Sequence, residues 1–156
     1  MAIDWKGVSV DNSRVVKLAA YVGKGDLFNA AIRRRTGSQM SHCELIIDGL
    51  WYSASLRDRG VRRKYIDPKP GEWEYQTLPW AEAEKIIQWF DDNEEVKYGV
   101  WDIIFQLFRI NADAPGEVCS TACAASLDFL NAFKYNPKTL WEACRSKTLA
   151  WEAARS

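Results

Sequence analysis

Short apolar segments that alternate with polar positions predict strands in the first half of the chain. The segments are Val15 to Val22, Ser41 to Ile47, Leu50 to Leu56, Val61 to Ile66 and Trp73 to Leu78. Asp48-Gly49 predicts a tight hairpin turn, since a type I′ turn needs positive φ at both central residues. Arg59-Gly60 supplies the next turn. The middle of the chain is therefore predicted to be an antiparallel meander.

After Pro79, the apolar residues recur every three to four positions, which is the spacing of one face of a helix. Helices are predicted over Trp80 to Phe90, Tyr98 to Phe108 and Val118 to Phe133, with a fourth that begins at Asn136-Pro137. A short earlier helix, Leu27 to Arg35, has Asp26 as its predicted N-cap. The expected fold class is α+β, with an antiparallel sheet packed on helices. The whole chain, 1–156, is predicted to be a single domain, because its length suits one hydrophobic core.

Charge and hydropathy narrow the range of partners. Lys and Arg total 21 and so do Asp and Glu, giving a formal net charge of zero. A balanced charge argues against nucleic-acid binding and against a polybasic membrane-surface module. No apolar run is long enough to span a bilayer. Residues 1–6 lack the pattern of a secretory signal, so a cytoplasmic location is expected.

The cysteines are candidates for reactive thiols. The chain has 4 Cys, and in a reducing compartment we expect them to be free rather than paired in disulfides. Cys119 opens an apolar helix, where the helix dipole and unpaired backbone N–H groups favour a thiolate. Cys123 lies one turn deeper, where the dipole effect fades, so it ranks behind Cys119. Cys43 and Cys144 are interpreted as packing residues.

His42 is the one histidine of the chain and the predicted partner of Cys119. It lies on a predicted strand, which would hold the imidazole in a fixed orientation for acid–base chemistry. Strand alternation puts His42, Glu44 and Ile46 on one face and Cys43, Leu45 and Ile47 on the other. A Cys–His pair of this kind supplies a nucleophile that attacks carbonyl carbon.

A third residue would orient the imidazole. Glu44 is the first candidate, because it shares the face of His42; Ser53 and Ser55 on the following strand are the alternatives. A zinc site built from Cys119, Cys123, His42 and Cys43 is disfavoured by the ligand spacing and by the opposite directions of His42 and Cys43. No cofactor and no metal are therefore expected. The basic clusters at residues 33–35 and 57–64 are interpreted as a solvated face.

The order of several short motifs resembles the circularly permuted NlpC/P60 papain-like hydrolases, in particular the YiiX-like group. The motifs are Ile32-Arg33, Thr36-Gly37-Ser38, Ser41 to Ile47, Gly60-Val61, Tyr98 to Asp102 and Cys119-Ser120. The resemblance implies a permuted papain-like fold in which the histidine strand precedes the cysteine helix. It implies Cys119 as nucleophile, His42 as general base and Glu44 as the acidic residue near the histidine.

The resemblance further implies a thiol peptidase, amidase or acyl hydrolase that acts on a small-molecule, peptide or lipid substrate through an acyl-enzyme. The alternative is a non-catalytic protein-binding module on the same scaffold, for example a bacteriophage-encoded protein that targets a host factor through exposed Trp and Arg residues. The two hypotheses differ in geometry. The enzyme requires Cys119 to meet His42, whereas a thiol sealed by aromatic side chains favours the binding module.

Overall fold

The computed structural model describes residues 14–25, 27–55, 60–94 and 117–156. The predicted Asp26 cap and the predicted helix Tyr98 to Phe108 lie outside these residues. The strands are β1 (Val16–Tyr21), β2 (His42–Ile47), β3 (Leu50–Ser55), β4 (Gly60–Lys64) and β5 (Trp73–Thr77). The helices are α1 (Leu27–Thr36), α2 (Ala83–Glu94), α3 (Glu117–Ser126) and α4 (Pro137–Ala153), with a 3₁₀ helix at Ala132–Lys134.

The strands form one five-stranded antiparallel sheet in the order β4-β3-β2-β1-β5. The α+β class and the predicted strands are confirmed, and the Asp48-Gly49 turn has φ of 52° and 78°. The predicted meander is wrong at its last strand. β5 pairs with β1 on the far side of the sheet, not with β4, because residues 65–72 form a connection far longer than a hairpin turn.

The helices α2, α3 and α4 pack against one face of this sheet. We call it the helix-covered face. Apolar side chains of alternate strand positions form its core, among them Leu18, Leu45 and Tyr52, together with Phe90 and Leu140 of the helices. Burial of this apolar surface is the main favourable contribution to folding. The opposite face of the sheet, which we call the outer face, carries His42, Glu44 and several aromatic side chains.

The third helix ends earlier than predicted. α3 stops at Ser126, whereas the apolar pattern predicted a helix to Phe133. The Phe129 N–H donates to the Ala124 carbonyl and the Asp128 N–H donates to the Ala125 carbonyl, with Asp128 at φ 58°. These bonds form a Schellman motif, which terminates a helix. The position with positive φ holds Asp instead of the usual Gly, so a clear stop signal is absent from this part of the sequence.

The fourth helix begins where it was predicted to begin. Asn136 is the N-cap: its side chain accepts a hydrogen bond from the Thr139 N–H, and the Thr139 hydroxyl accepts one from the Asn136 N–H. Pro137 occupies the first helical position, where its missing N–H costs nothing. Within the described residues, no helix has both the length and the apolar character required to cross a bilayer.

Candidate functional site

The sheet splits between β2 and β3 at the end of β2 that carries His42. The pairing of β2 with β3 stops at Leu45 and Tyr52, whereas β3 stays paired with β4 as far as Ser55 and Gly60. The Cys43 carbonyl at this split accepts a hydrogen bond from the Ser53 hydroxyl at 2.9 Å and from the Cys123 thiol at 3.8 Å. Side chains of β3 and α3 thus replace the ladder bond that Cys43 would otherwise make.

α3 brings Cys119 to this split. The helix begins at Glu117 and packs on β2 and β3, so Cys119 lies in its first turn above the end of β2. Cys119 lies close enough to His42 and to Cys43 for both residues to change the pKa of its thiol. The predicted meeting of Cys119 and His42 is therefore present in the structure.

The imidazole is held from its other side by a buried carboxylate. His42 Nε2 lies 3.0 Å from Glu44 Oε1, and the Arg62 guanidinium donates to the same oxygen at 2.6 Å. The side chain of Glu44 is 1% exposed and that of Arg62 is 14% exposed. A buried carboxylate is stabilised by such charge-assisted bonds. A continuous chain of contacts therefore runs from Arg62 through Glu44 and His42 to Cys119.

The charges of this chain favour an imidazolium–thiolate pair. Burial opposes protonation of His42, but its interactions with Cys119 and then with Glu44 outweigh burial and raise its pKa to about 10. The pKa of Cys119 lies well below its usual range, because the Cys43 thiol and then the His42 charge stabilise the thiolate against the effect of burial. Hydrogen bonds to Cys119 and Cys123, together with burial, raise the pKa of Cys43. Cys43 therefore stays a protonated thiol under conditions in which Cys119 is a thiolate.

Aromatic rings of the outer face surround the imidazole. The rings of His42 and Trp73 are 6.3 Å apart, and Trp73 packs edge-on against both Tyr21 and Trp51. His42 is 23% exposed, whereas Cys119 is only 4% exposed. Solvent thus contacts the pair mainly on the imidazole side.

The predicted orienting residues have different roles. Glu44 contacts the imidazole directly. Ser53 is fully buried and donates its hydroxyl hydrogen bond to the Cys43 carbonyl, so it supports the split rather than the histidine. Ser55 lies opposite Gly60 at the end of β3.

Two residues of the site were missed by sequence reasoning. Arg62 was assigned to a solvated basic face, yet it is largely buried and bound to Glu44. The available signal was strand alternation along β4, which places Arg62 on the same face of the sheet as Ser53. Cys43 was interpreted as packing alone, yet its thiol contacts Cys119. Strand alternation was correct for Cys43, but alternation cannot show that a helix would place a second thiol against it.

Cys144 lies in α4 and is fully buried, and burial raises its pKa to about 12, which makes it an unreactive thiol. In the part of the chain that the structure describes, no group of His, Cys, Asp and Glu side chains has an arrangement that could hold a metal ion.

The tryptophans between residues 51 and 94 and between 117 and 156 are buried or half-buried. The exposed tryptophans expected for a binding module are thus not found in these ranges.

Comparisons of the chain with family models, with curated proteins and with solved structures returned no match in any of the three. We therefore infer the function from the geometry of the site itself.

Proposed function

We propose that this protein is a cysteine hydrolase of the permuted papain-like type, which cleaves an amide or ester bond through an acyl-enzyme. The observation that carries the proposal is the contact of the Cys119 thiol with an imidazole whose ring nitrogen is bonded to the buried Glu44 carboxylate. The order of elements also supports it, since the strand with His42 precedes the helix with Cys119.

The roles follow from the contacts. The Cys119 thiolate attacks the carbonyl carbon and forms a tetrahedral intermediate, while backbone N–H groups in the first turn of α3 stabilise the negative oxygen. The His42 imidazolium then gives its proton to the leaving amine or alcohol, which leaves Cys119 as a thioester. His42 next removes a proton from water, the hydroxide attacks the thioester, and the carboxylic acid and the thiolate are released.

Glu44 and Arg62 act as positioning residues. The Glu44 carboxylate fixes the direction of the ring and stabilises the imidazolium, as the acidic member of a catalytic triad does. Arg62 compensates the buried negative charge of Glu44. Both interactions preorganise the pair before a substrate binds.

The test is alkylation of Cys119 by a small electrophile such as iodoacetamide, with the modified residue identified by peptide mass spectrometry. Near neutral pH we expect wild-type Cys119 to react rapidly, because its lowered pKa makes it a thiolate at a pH where an ordinary thiol is still protonated. Cys119→Ala should eliminate this labelling. His42→Ala should slow it by roughly 100-fold or more, the size of effect that a lost acid–base partner produces.

Cys144→Ala is the matched control, because Cys144 is a buried cysteine with a raised pKa. In this variant, Cys119 should be alkylated at the wild-type rate. Retention of the fold in each variant is checked by circular dichroism. Equal labelling of wild type and His42→Ala near neutral pH would contradict the Cys–His pair and with it the hydrolase proposal.

A further inference from the structure

The outer face beside the candidate site carries aromatic rings that the proposed chemistry does not use. Gln76 of β5 donates a hydrogen bond to a backbone carbonyl of α4, so its side chain faces the helices. Strand alternation therefore puts Trp73 and Tyr75 on the outer face. The Trp51 ring packs edge-on against both, with its centroid 4.9 Å from that of Trp73 and 6.2 Å from that of Tyr75.

This row of rings starts at the imidazole. His42 and Trp73 are both paired with Tyr21 of β1, from opposite sides, and the ring centroids of His42 and Trp73 are 6.3 Å apart. Tyr75 follows two residues later on β5, about 7 Å further along the sheet. Trp73 is half-buried and Tyr75 is 47% exposed, so both rings offer surface to a ligand.

A lysine lies at the far end of the row. Lys17 of β1 is exposed, and its neighbours in sequence belong to the core, so its side chain is on the outer face. It is paired on one side with Ile46, four residues from His42, and on the other with Thr77, two residues beyond Tyr75. Four residues of a strand place Lys17 about 13 Å from the imidazole along the sheet.

The charges of this face are mainly positive. Among the strand residues that the structure describes, its one acidic side chain is Glu44, which is buried and bound to Arg62. Lys17 and Lys64 are both exposed on this face. An anionic group therefore complements the charge of the surface.

We propose that the outer face binds the substrate, and that the substrate is a short peptide with an aromatic side chain that packs on Trp73 and Tyr75 and a carboxylate that pairs with Lys17. The inference rests on the proposed hydrolase function, because it places the reacting carbonyl at Cys119. Aromatic side chains favour edge-on or offset contact with rings of this kind. An extended chain spans about 3.3–3.6 Å per residue, so about four residues reach from the imidazole to Lys17.

The experiment measures how fast Cys119 of the wild-type protein displaces chloride from chloroacetyl peptides, with the thioether located by mass spectrometry. The probes are chloroacetyl-Phe-Ala-Ala with a free C-terminal carboxylate, the same peptide as its C-terminal amide, and chloroacetyl-Ala-Ala-Ala amide. We expect the phenylalanine amide to react about 10-fold faster than the alanine amide, from one additional aromatic contact. The carboxylate should add about a further threefold, the size of an exposed ion pair.

Variants of exposed side chains assign the two preferences. Trp73→Ala and Tyr75→Ala should each reduce the preference for phenylalanine at least threefold, and Lys17→Gln should remove the preference for the carboxylate. Phe133→Ala and Lys85→Gln are the matched controls, because these residues are exposed on the 3₁₀ helix and on α2, across the sheet from the outer face. Both controls should keep both preferences.

Equal wild-type rates with the three probes, or a faster reaction of the amide than of the carboxylate, would overturn the inference without any variant. A faster reaction of N-octyl chloroacetamide than of the phenylalanine peptides would also overturn it, because the face would then prefer an alkyl chain. In each case rapid alkylation by iodoacetamide would leave the hydrolase proposal standing. Failure of iodoacetamide to label Cys119 would instead contradict the hydrolase proposal, and this inference with it.

Discussion

The two faces of the sheet differ in what holds them together. On the helix-covered face, side chains such as Leu45 and Phe90 are almost completely buried, and four cysteine thiols lie among them. On the outer face, His42, Glu44 and Arg62 form a charged chain bordered by aromatic rings. The first face is stabilised by apolar burial, and the second depends on paired charges and ring contacts.

The difference shows why the candidate site lies at the edge of β2 and not on either face. Cys119 belongs to a helix of the apolar side, where a thiol alone would stay protonated. His42 belongs to the polar side. The split between β2 and β3 allows the two side chains to meet, so the thiol gains a charged partner without leaving the packed helix.

The largest expected effect comes from the two arginines of β4, which point to opposite faces. Arg62→Gln should lower the free energy of unfolding by about 3–5 kcal/mol, because it breaks a buried ion pair and leaves the Glu44 carboxylate with the His42 imidazolium as its remaining cation. Arg63→Gln should cost no more than about 1 kcal/mol, since Arg63 and its partners Asp91 and Glu94 are largely exposed. Urea denaturation measures both. Equal losses would show that the outer-face ion pair is no more important than a surface pair.

Neighbouring residues of β2 provide a second comparison. Leu45 is fully buried on the helix-covered face, and Leu45→Ala should cost about 2–5 kcal/mol, from lost burial and the cavity left behind. Ile46 lies on the outer face and is half-buried. Ile46→Ala should cost about 1 kcal/mol. The same denaturation experiment measures the pair, and a reversed order would mean that the outer face contains a larger apolar core than the inner one.

The pH dependence of stability tests the ion pair that joins the faces. The raised pKa of His42 gives stability that is complete below its ordinary value of 6.5 and is lost as the pH rises through about 10. The lowered pKa of Cys119 gives stability that is complete above 9.0 and is lost as the pH falls through its folded value. Between 6.5 and 9.0 the folded and unfolded pair bind the same number of protons, so the pair contributes a plateau.

From about one pH unit below 6.5, the wild-type free energy of unfolding should therefore decrease by about 1.4 kcal/mol for each further unit by which the pH falls, as a result of this pair. In Cys119→Ala that acid limb should vanish, because the variant has no thiolate at this position. Urea titrations across this range measure both proteins. Identical slopes in the two proteins below 6.5 would mean that Cys119 is not ionised in the folded state.

The smallest predicted effect concerns the split itself. Ser53→Ala removes one hydrogen bond to the Cys43 carbonyl, which retains the Cys123 thiol as a donor, and should cost about 0.5–1.5 kcal/mol. The pH profile of Cys119 alkylation should not move, because Ser53 binds Cys43 and not the imidazole. A shifted profile would restore Ser53 as an orienting residue for His42.

Local sequence patterns determined much of the framework. Alternation along β2 placed His42 and Glu44 on one face, the Asp48-Gly49 turn has positive φ at both residues, and Asn136-Pro137 starts α4. These features depend on neighbouring residues, so a sequence pattern is sufficient to predict them. The first-turn position of Cys119 and its pairing with His42 were predicted from residue type, position and the family resemblance together.

Only the tertiary structure decided which distant residues meet. The placement of β5 beside β1, the contact of Arg62 with Glu44 and the contact of Cys43 with Cys119 each join segments far apart in the chain. Such contacts depend on strand register and on how a helix docks, which are set by the burial of the whole core and not by local preference. The sequence therefore determined the reactive groups, and the packed fold determined their partners.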